Sequence, residues 1–183
     1  GMFHWWVALL YQAGGKYVTD DGHSPAFNTP EGLEASEFYI RVYDRLQGFG
    51  TRAPNMGLVN GNVAIQYANP AWFIPAARVN APDTIQHYRT SEPLTGKRKV
   101  ALTYTNMMAM SSLTQHPDEA WELLKWLGRV DSLVGYNEAM SLPPPRISAL
   151  QSNYVQSMPI IQYELLEVLP HATPWPSHHG GNQ

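Results

Sequence analysis

The chain contains no cysteine, which excludes disulfide bonds, thiolate nucleophiles and zinc or iron–sulfur sites built on cysteine. Charged side chains are also scarce, at 15% of 183 residues against 44% hydrophobic residues, so a disordered polyelectrolyte is excluded. The formal net charge is -3, and no basic surface for nucleic acid or anionic lipid is expected. No apolar run approaches the roughly 18 residues that a membrane helix requires. These absences predict a soluble globular protein that does not span a membrane and has no nucleic-acid or anionic-lipid partner.

Catalytic motifs are missing as well. The sequence has no Gly-x-Ser-x-Gly elbow, no His-Glu-x-x-His helix and no phosphate-binding loop. Its carboxylates recur on helix surfaces and in first helical turns, where helix-end electrostatics and solubility explain them. His171, His178 and His179 lie in a terminal segment that offers no preorganised second shell. We therefore predict no catalytic residue, no metal and no cofactor. A glycosidase carboxylate pair cannot be established from sequence, and a carbohydrate-active enzyme domain stays an alternative.

Capping signals and helical periodicity predict several helices. Thr29 is a good N-cap, Pro30 suits the first helical position and Glu31 meets the positive end of the helix, which is expected to run to Gly48. The other expected helical segments are Trp5–Ala13, a helix from Pro117 to Gly128, Ser132–Met140, and Tyr154–Leu169 with an interruption at Pro159.

Alternating polar and apolar residues predict strands, and proline-rich stretches predict irregular segments. Strands are expected over 62–67, 99–104 and 107–111, where strand-forming residues gather. A loop is expected over 69–72, irregular structure over 75–96, a stiff connector over 142–146 and a loosely held tail over 171–183.

Three short motifs occur in one order and at plausible separations. They are Gln12–Lys16 followed by Asn28–Gly32, then Gly61–Ile65 leading to Trp72, then His116–Trp121 running on to Leu142-Pro143. Together they resemble the second half of the sugar-type extracellular solute-binding proteins of ABC importers, a family that includes the maltodextrin-binding proteins. The resemblance implies capture of a sugar or oligosaccharide without chemistry on it, and delivery to the membrane subunits of the transporter.

The resemblance also implies a fold. It is an α/β fold of the periplasmic-binding-protein-like type II, here partial, with most of the C-terminal lobe and a returning segment of the N-terminal lobe. Residues 1–97 would belong to the C-terminal lobe, 98–148 to the return to the N-terminal lobe and the hinge, and 149–183 to a second return to the C-terminal lobe and the tail.

Candidate ligand contacts follow from the same comparison. Trp72 matches an aromatic residue that lines the sugar groove in the family, and Asn69 lies in the same loop. His4 and Trp5 precede the glycine turn where the family places an aromatic groove residue, although a helix burying Trp5 in the core is an alternative. The remaining candidates are Tyr104 and Asn106, beside a ligand-facing turn, and Trp175, for which a mobile tail is the favoured alternative.

The chain matches the family pattern from the middle of that pattern onwards and stops before its end. We expect no signal peptide in this chain, and by resemblance a periplasmic or extracellular, membrane-associated protein. Apolar faces of residues 98–148 would lack the sheet that they join in the family, so a homodimer formed by segment exchange is expected. A fragment that binds no ligand is the other alternative.

Overall fold

The computed structural model describes residues 2–45, 57–66, 70–104 and 106–176, with the side chains of residues 2 and 70–72 outside that description. The chain divides into two compact units, each assembled from separate stretches. Unit 1 comprises Gly1–Pro54, Ser91–Tyr104 and Glu167–Gln183, and unit 2 comprises Asn55–Thr90 and Thr105–Leu166. Among the described residues, no helix is both long enough and apolar enough to cross a bilayer.

Two helices pack together in unit 1. Helix α1 spans Met2–Gln12 and helix α2 spans Pro30–Arg45, so both helices predicted for this region are confirmed over their described residues. The Thr29 hydroxyl accepts a hydrogen bond from the Gly32 N–H at 3.3 Å, as expected of an N-cap. Val7 and Leu10 of α1 are fully buried, and each contributes roughly 1.5–3 kcal/mol by leaving water.

A short parallel sheet completes unit 1. Strand β1 is Ala101–Thr103 and strand β2 is Ala172–Pro174, with Ala101 opposite Ala172. The strand predicted over 99–104 is therefore confirmed in its centre. The Gln12 side chain at the end of α1 donates to the Val100 carbonyl oxygen at 3.0 Å, which ties the helix to the start of β1.

Unit 2 is helical in its described residues. Helices α3 to α7 are Pro70–Asn80, Pro117–Leu127, Val130–Met140, Asn153–Ser157 and Pro159–Tyr163. A π-helical turn over Glu164–Val168 and a 3-10 turn over Leu169–His171 then lead into β2. The core of the unit consists of Val59, Phe73, Ile74, Ala77, Tyr154, Val155 and Ile161. The helices predicted for 117–128, 132–140 and 154–169 are confirmed, the last as a series of short turns broken at Pro159.

Two predicted strands are wrong. Residues 62–66 form turns and irregular backbone, because Gly61 has a φ of 72° and the Asn62 N–H closes a turn onto the Gly57 carbonyl at 2.8 Å. Residues 107–111 are irregular and exposed, and no described strand pairs with them. Strand-forming residue types do not form a strand without a partner that completes the hydrogen-bond ladder.

The loop predicted over 69–72 is wrong at 70–72, while Asn69 lies outside the described residues, and the irregular structure predicted over 75–96 is wrong at 75–80. Helix α3 begins at Pro70, a favourable first position, and continues past Pro75 to Asn80. Pro75 cannot donate a backbone hydrogen bond, but the buried side chains of Phe73, Ile74 and Ala77 offset that loss.

Part of unit 2 presents an exposed apolar face. Helix α4 has no buried residue, although Ala120, Trp121, Leu124 and Leu127 recur at helical spacing. We use the term exposed apolar face for the side chains of this region that are at least 43% exposed, namely Met107, Met108, Met110, Leu113, Trp121, Leu123 and Trp126.

Replacement of Gly32 by alanine tests the close approach at the start of α2. A Cβ atom there would lie 1.8 Å from the Phe27 carbonyl oxygen, so we expect a loss of about 1–3 kcal/mol in the free energy of unfolding from overpacking. Gly135→Ala is the matched control, because a Cβ at Gly135 meets nothing within 4 Å and alanine favours the helix. Chemical denaturation of both variants measures the difference, and equal stabilities would contradict the packing described.

The buried carboxyl of Glu164 predicts a pH-dependent stability. Its Oε2 atom has no hydrogen-bond partner among the described residues, and burial raises the pKa of Glu164 to about 7. The unfolded chain releases this proton near the ordinary value of 4.5, so the protein loses stability as the pH rises from about 4.5 to about 7. Each pH unit between the two pKa values lowers the free energy of unfolding by about 1.4 kcal/mol, so we expect a total loss of roughly 3 kcal/mol at most.

Glu164→Gln keeps the shape of the side chain and cannot ionise. Denaturation at pH 5 and pH 8 should therefore show a smaller difference for this variant than for the unsubstituted protein, whereas Glu37→Gln at an exposed position should keep the original difference. The same pH dependence in both variants would contradict the burial of Glu164.

Candidate ligand-binding site

Two residues at the carboxyl ends of the parallel strands lie side by side. Tyr104 follows β1 directly and Trp175 follows β2, and the register pairs Thr103 with Pro174. The Trp175 backbone N–H donates to the Thr103 carbonyl oxygen at 3.0 Å and extends the ladder by one bond. In α/β proteins, ligands bind beyond the carboxyl ends of parallel strands.

Helix α1 brings further rings to this edge. The Tyr104 hydroxyl and His4 Nδ1 are 2.8 Å apart and share a hydrogen bond. The Trp175 ring centroid lies 4.6 Å from that of His4, 5.7 Å from that of Tyr104 in a stacked arrangement, and 5.5 Å from that of Phe3, edge to face. We call Phe3, His4, Tyr104 and Trp175 the strand-end cluster.

A second layer of rings supports the strand-end cluster. The ring centroids of Phe3 and Tyr17 are 5.6 Å apart. Tyr17 stacks on Phe27, and Phe27 contacts Trp6 edge to face, with 5.5 Å between the ring centroids in both pairs. The Trp6 indole N–H donates to the Ser36 hydroxyl at 2.9 Å. These contacts fix the first turn of α1, and with it His4.

The strand-end cluster is accessible and uncharged. Tyr104 and Phe3 are 48% and 47% exposed, His4 is exposed and Trp175 is half-buried. No Asp, Glu, Lys or Arg occurs in residues 2–12, 101–104 or 172–176. Burial lowers the pKa of His4 below its ordinary value, which favours the neutral form of its imidazole. The cluster therefore offers aromatic faces and neutral hydrogen-bonding groups.

Three of the sequence-predicted site residues, His4, Tyr104 and Trp175, meet in this cluster. The loosely held tail that was the favoured alternative for Trp175 is wrong over 172–176, because β2 pairs with β1 and Pro176 is buried. Trp5 is half-buried beside His4 on α1. Sequence reasoning missed Phe3, although the density of aromatic residues at the start of α1 was a signal for it.

The other predicted contacts stay predictions. Asn69 lies outside the described residues, and Trp72 falls in the first turn of α3 with its side chain outside the description. Asn106 is exposed and belongs to unit 2.

The strand-end cluster contains no carboxylate among its described residues, and its side-chain polar groups include the Tyr104 hydroxyl and the His4 imidazole, which are hydrogen-bonded to each other. Within the described ranges, no three His, Asp or Glu side chains gather in a way that could hold a metal ion.

Comparison with known proteins identifies the family. The sequence model of the bacterial extracellular solute-binding proteins matches residues 2–162. The chain belongs to this family. The resemblance that the motifs indicated is thus confirmed. No curated protein matches this family member.

Several solved structures have a similar fold. One is an ABC transporter solute-binding protein from Thermotoga lettingae bound to alpha-D-tagatose, with 23% identity, a TM-score of 0.65 and coverage of 95% of this chain and 46% of that chain. Another is the GacH receptor of Streptomyces glaucescens, determined without ligand and with acarbose, with 16% identity, a TM-score of 0.70 and coverage of 98% and 47%.

A third is the cyclic alpha-maltosyl-1,6-maltose binding protein from Arthrobacter globiformis, with 17% identity, a TM-score of 0.52 and coverage of 96% and 46%. The solute-binding-protein fold expected from the sequence is confirmed over a partial chain. This family member spans slightly less than half the length of the solved proteins that it matches.

Proposed function

We propose that this chain is part of the substrate-binding component of an ABC importer and binds a sugar or oligosaccharide, without chemistry, at the strand-end cluster. The observation that carries the proposal is the meeting of Tyr104, Trp175 and His4 at the carboxyl ends of two parallel strands. Membership of the extracellular solute-binding family supports a binding role outside the cytoplasm.

The chemistry of the cluster suits a sugar. An indole ring covers the apolar face of a pyranose, and neutral donors and acceptors beside it bond the hydroxyl groups at the rim. Trp175 supplies such a ring, and His4 and Tyr104 supply the polar groups. An uncharged surface imposes no desolvation penalty on fixed charges when a neutral ligand covers it.

The path of the chain supports a two-lobed protein. The sequence predicted lobe boundaries after residues 97 and 148. In the structure, the chain passes from one compact unit to the other after residues 54, 90, 104 and 166. We propose that the lobes follow the compact units, since each unit is assembled from separate stretches as repeated crossing between lobes requires.

A thermal-shift screen against mono- and oligosaccharides at about 10 mM tests the binding role. A ligand held with only millimolar affinity still stabilises the protein by about 1.4 kcal/mol at tenfold excess, which raises the melting temperature by a few degrees. Each sugar is afterwards recovered. Intact sugar agrees with binding alone, cleaved sugar would indicate a carbohydrate-active enzyme, and no shift with any sugar would indicate a fragment that binds none.

Trp175→Ala locates the binding surface. Loss of the stacking ring should weaken sugar binding about tenfold in a calorimetric titration. Tyr136→Ala is the control, because Tyr136 is an aromatic residue that is 39% exposed, belongs to unit 2 and lies outside the exposed apolar face. Equal affinities for the two variants would place the sugar elsewhere.

We further propose that a second copy of this chain covers the exposed apolar face of unit 2. Side chains such as Trp121 and Trp126 leave large apolar areas in water, and identical chains gain about 25 cal/mol for each Å² that they remove from it. Exchange of the segment 98–148 between two chains is a low-cost way to cover the exposed apolar face.

Sedimentation at increasing protein concentration tests the dimer. The unsubstituted protein should reach the dimer mass, and Trp126→Glu should shift it towards the monomer because a charge would enter the interface. Ile65→Glu, at a position that is 91% exposed and outside the face, should leave the mass unchanged. A monomer at every concentration would contradict the proposal.

A further inference from the structure

The hydrogen bond between Tyr104 and His4 has two possible directions. The Tyr104 hydroxyl donates to Nδ1 when the imidazole proton sits on Nε2, and it accepts from Nδ1–H when the proton sits on Nδ1. The 2.8 Å separation suits either arrangement. The choice of tautomer therefore leaves this bond intact and changes only what Nε2 offers, which is a donor in the first case and an acceptor in the second.

Nε2 of His4 is placed to meet a ligand. No described residue hydrogen-bonds this atom, and the His4 side chain is exposed. The imidazole centroid lies 4.6 Å from the Trp175 ring, so a sugar that covers this indole brings its rim hydroxyls beside the imidazole.

The charged side chains next to the two strands and to the supporting layer are paired or precede the strands. Lys99 precedes β1 and forms an ion pair with Glu92 at 2.5 Å, and His171 precedes β2, so these groups are at the amino-terminal ends of the strands. Lys16, which is adjacent to Tyr17 in the supporting layer, is paired with Asp20 at 2.7 Å. Among the described residues, the strand-end cluster thus has no charged side chain of its own to match a charged ligand, and no carboxylate of the cluster lies beside His4 to favour the imidazolium.

Resting on the proposed function, we propose that Tyr104 positions His4 as an adjustable contact, whose Nε2 either donates to or accepts from a sugar hydroxyl, and that the site selects uncharged sugars over charged ones. A hydroxyl also both donates and accepts, so the pair satisfies it in either orientation. Tyr104 acts through His4, and the Trp175 ring supplies the area of contact.

Nitrogen-15 NMR of the imidazole at pH 8 tests the first part, because the shifts of Nδ1 and Nε2 report the tautomer. Maltose, D-glucose and D-galactose are the probes. In the unsubstituted protein, the Nδ1 and Nε2 chemical shifts should move in opposite directions as sugar is added, until the change in the Trp175 indole signal shows that the site is saturated. Tyr104→Phe keeps the stacked ring and deletes the hydroxyl that holds the imidazole with Nε2 towards the ligand. This variant should therefore bind about fivefold more weakly, and its tautomer ratio should no longer respond to sugar because Nε2 is no longer held beside the sugar hydroxyl.

Tyr136→Phe, on α5 in unit 2, is the matched control and should behave as the unsubstituted protein. A Trp175 response without any change of tautomer, or the same change in Tyr104→Phe, would overturn the role of Tyr104 and leave sugar binding intact. If none of the probes moves the Trp175 signal, the proposed function fails and the role of Tyr104 fails with it.

Matched charged sugars test the second part. D-glucuronate and D-glucosamine differ from D-glucose by one carboxylate and one ammonium group, and D-galacturonate and D-galactosamine pair with D-galactose in the same way. We expect the neutral sugar of at least one set to bind at least tenfold more tightly than its charged partners. Binding of the carboxylate sugars is measured at pH 8 and low salt, and binding of the ammonium sugars is measured at pH 6.5. Equal or tighter binding of the charged partners would overturn the selection for uncharged ligands.

Discussion

The pairing of β1 with β2 is the constraint on which the candidate site depends. Tyr104 and Trp175 are far apart in the sequence, and only the parallel register, continued by the bond from the Trp175 N–H to the Thr103 carbonyl, places their rings against each other. Two three-residue strands would not hold together alone in water. Helix α1 supports them, because Gln12 bonds the Val100 carbonyl at one end while His4 bonds Tyr104 at the other.

The same arrangement separates charged groups from aromatic and neutral polar groups. The charged groups of this part of unit 1 lie before the strands, and the aromatic and neutral polar groups lie after them. A surface of this kind can cover the faces and rim of a sugar, but it holds no carboxylate to act as a general acid or nucleophile. Family membership and fold agree with such a role, although the chain spans less than half of the solved proteins that it resembles.

Helices were predictable from sequence because their signals are local. Thr29 and Pro30 fix the start of α2, and Pro117 fixes that of α4. Strands depend on a distant partner, which explains why residues 62–66 and 107–111 were wrongly expected to be extended and why Trp175 was expected in a loose tail. The resemblance to a family supplied His4, Tyr104 and Trp175 as candidates, but their mutual contact follows from the β1–β2 register, which no local pattern reveals.

The most direct test of the account is a crystal structure of the protein grown with an oligosaccharide that raises its melting temperature, at a concentration that saturates binding in solution. The account predicts a sugar ring lying against the Trp175 indole with a hydroxyl at hydrogen-bonding distance from His4 Nε2. A sugar bound elsewhere while the strand-end cluster stays empty would contradict it.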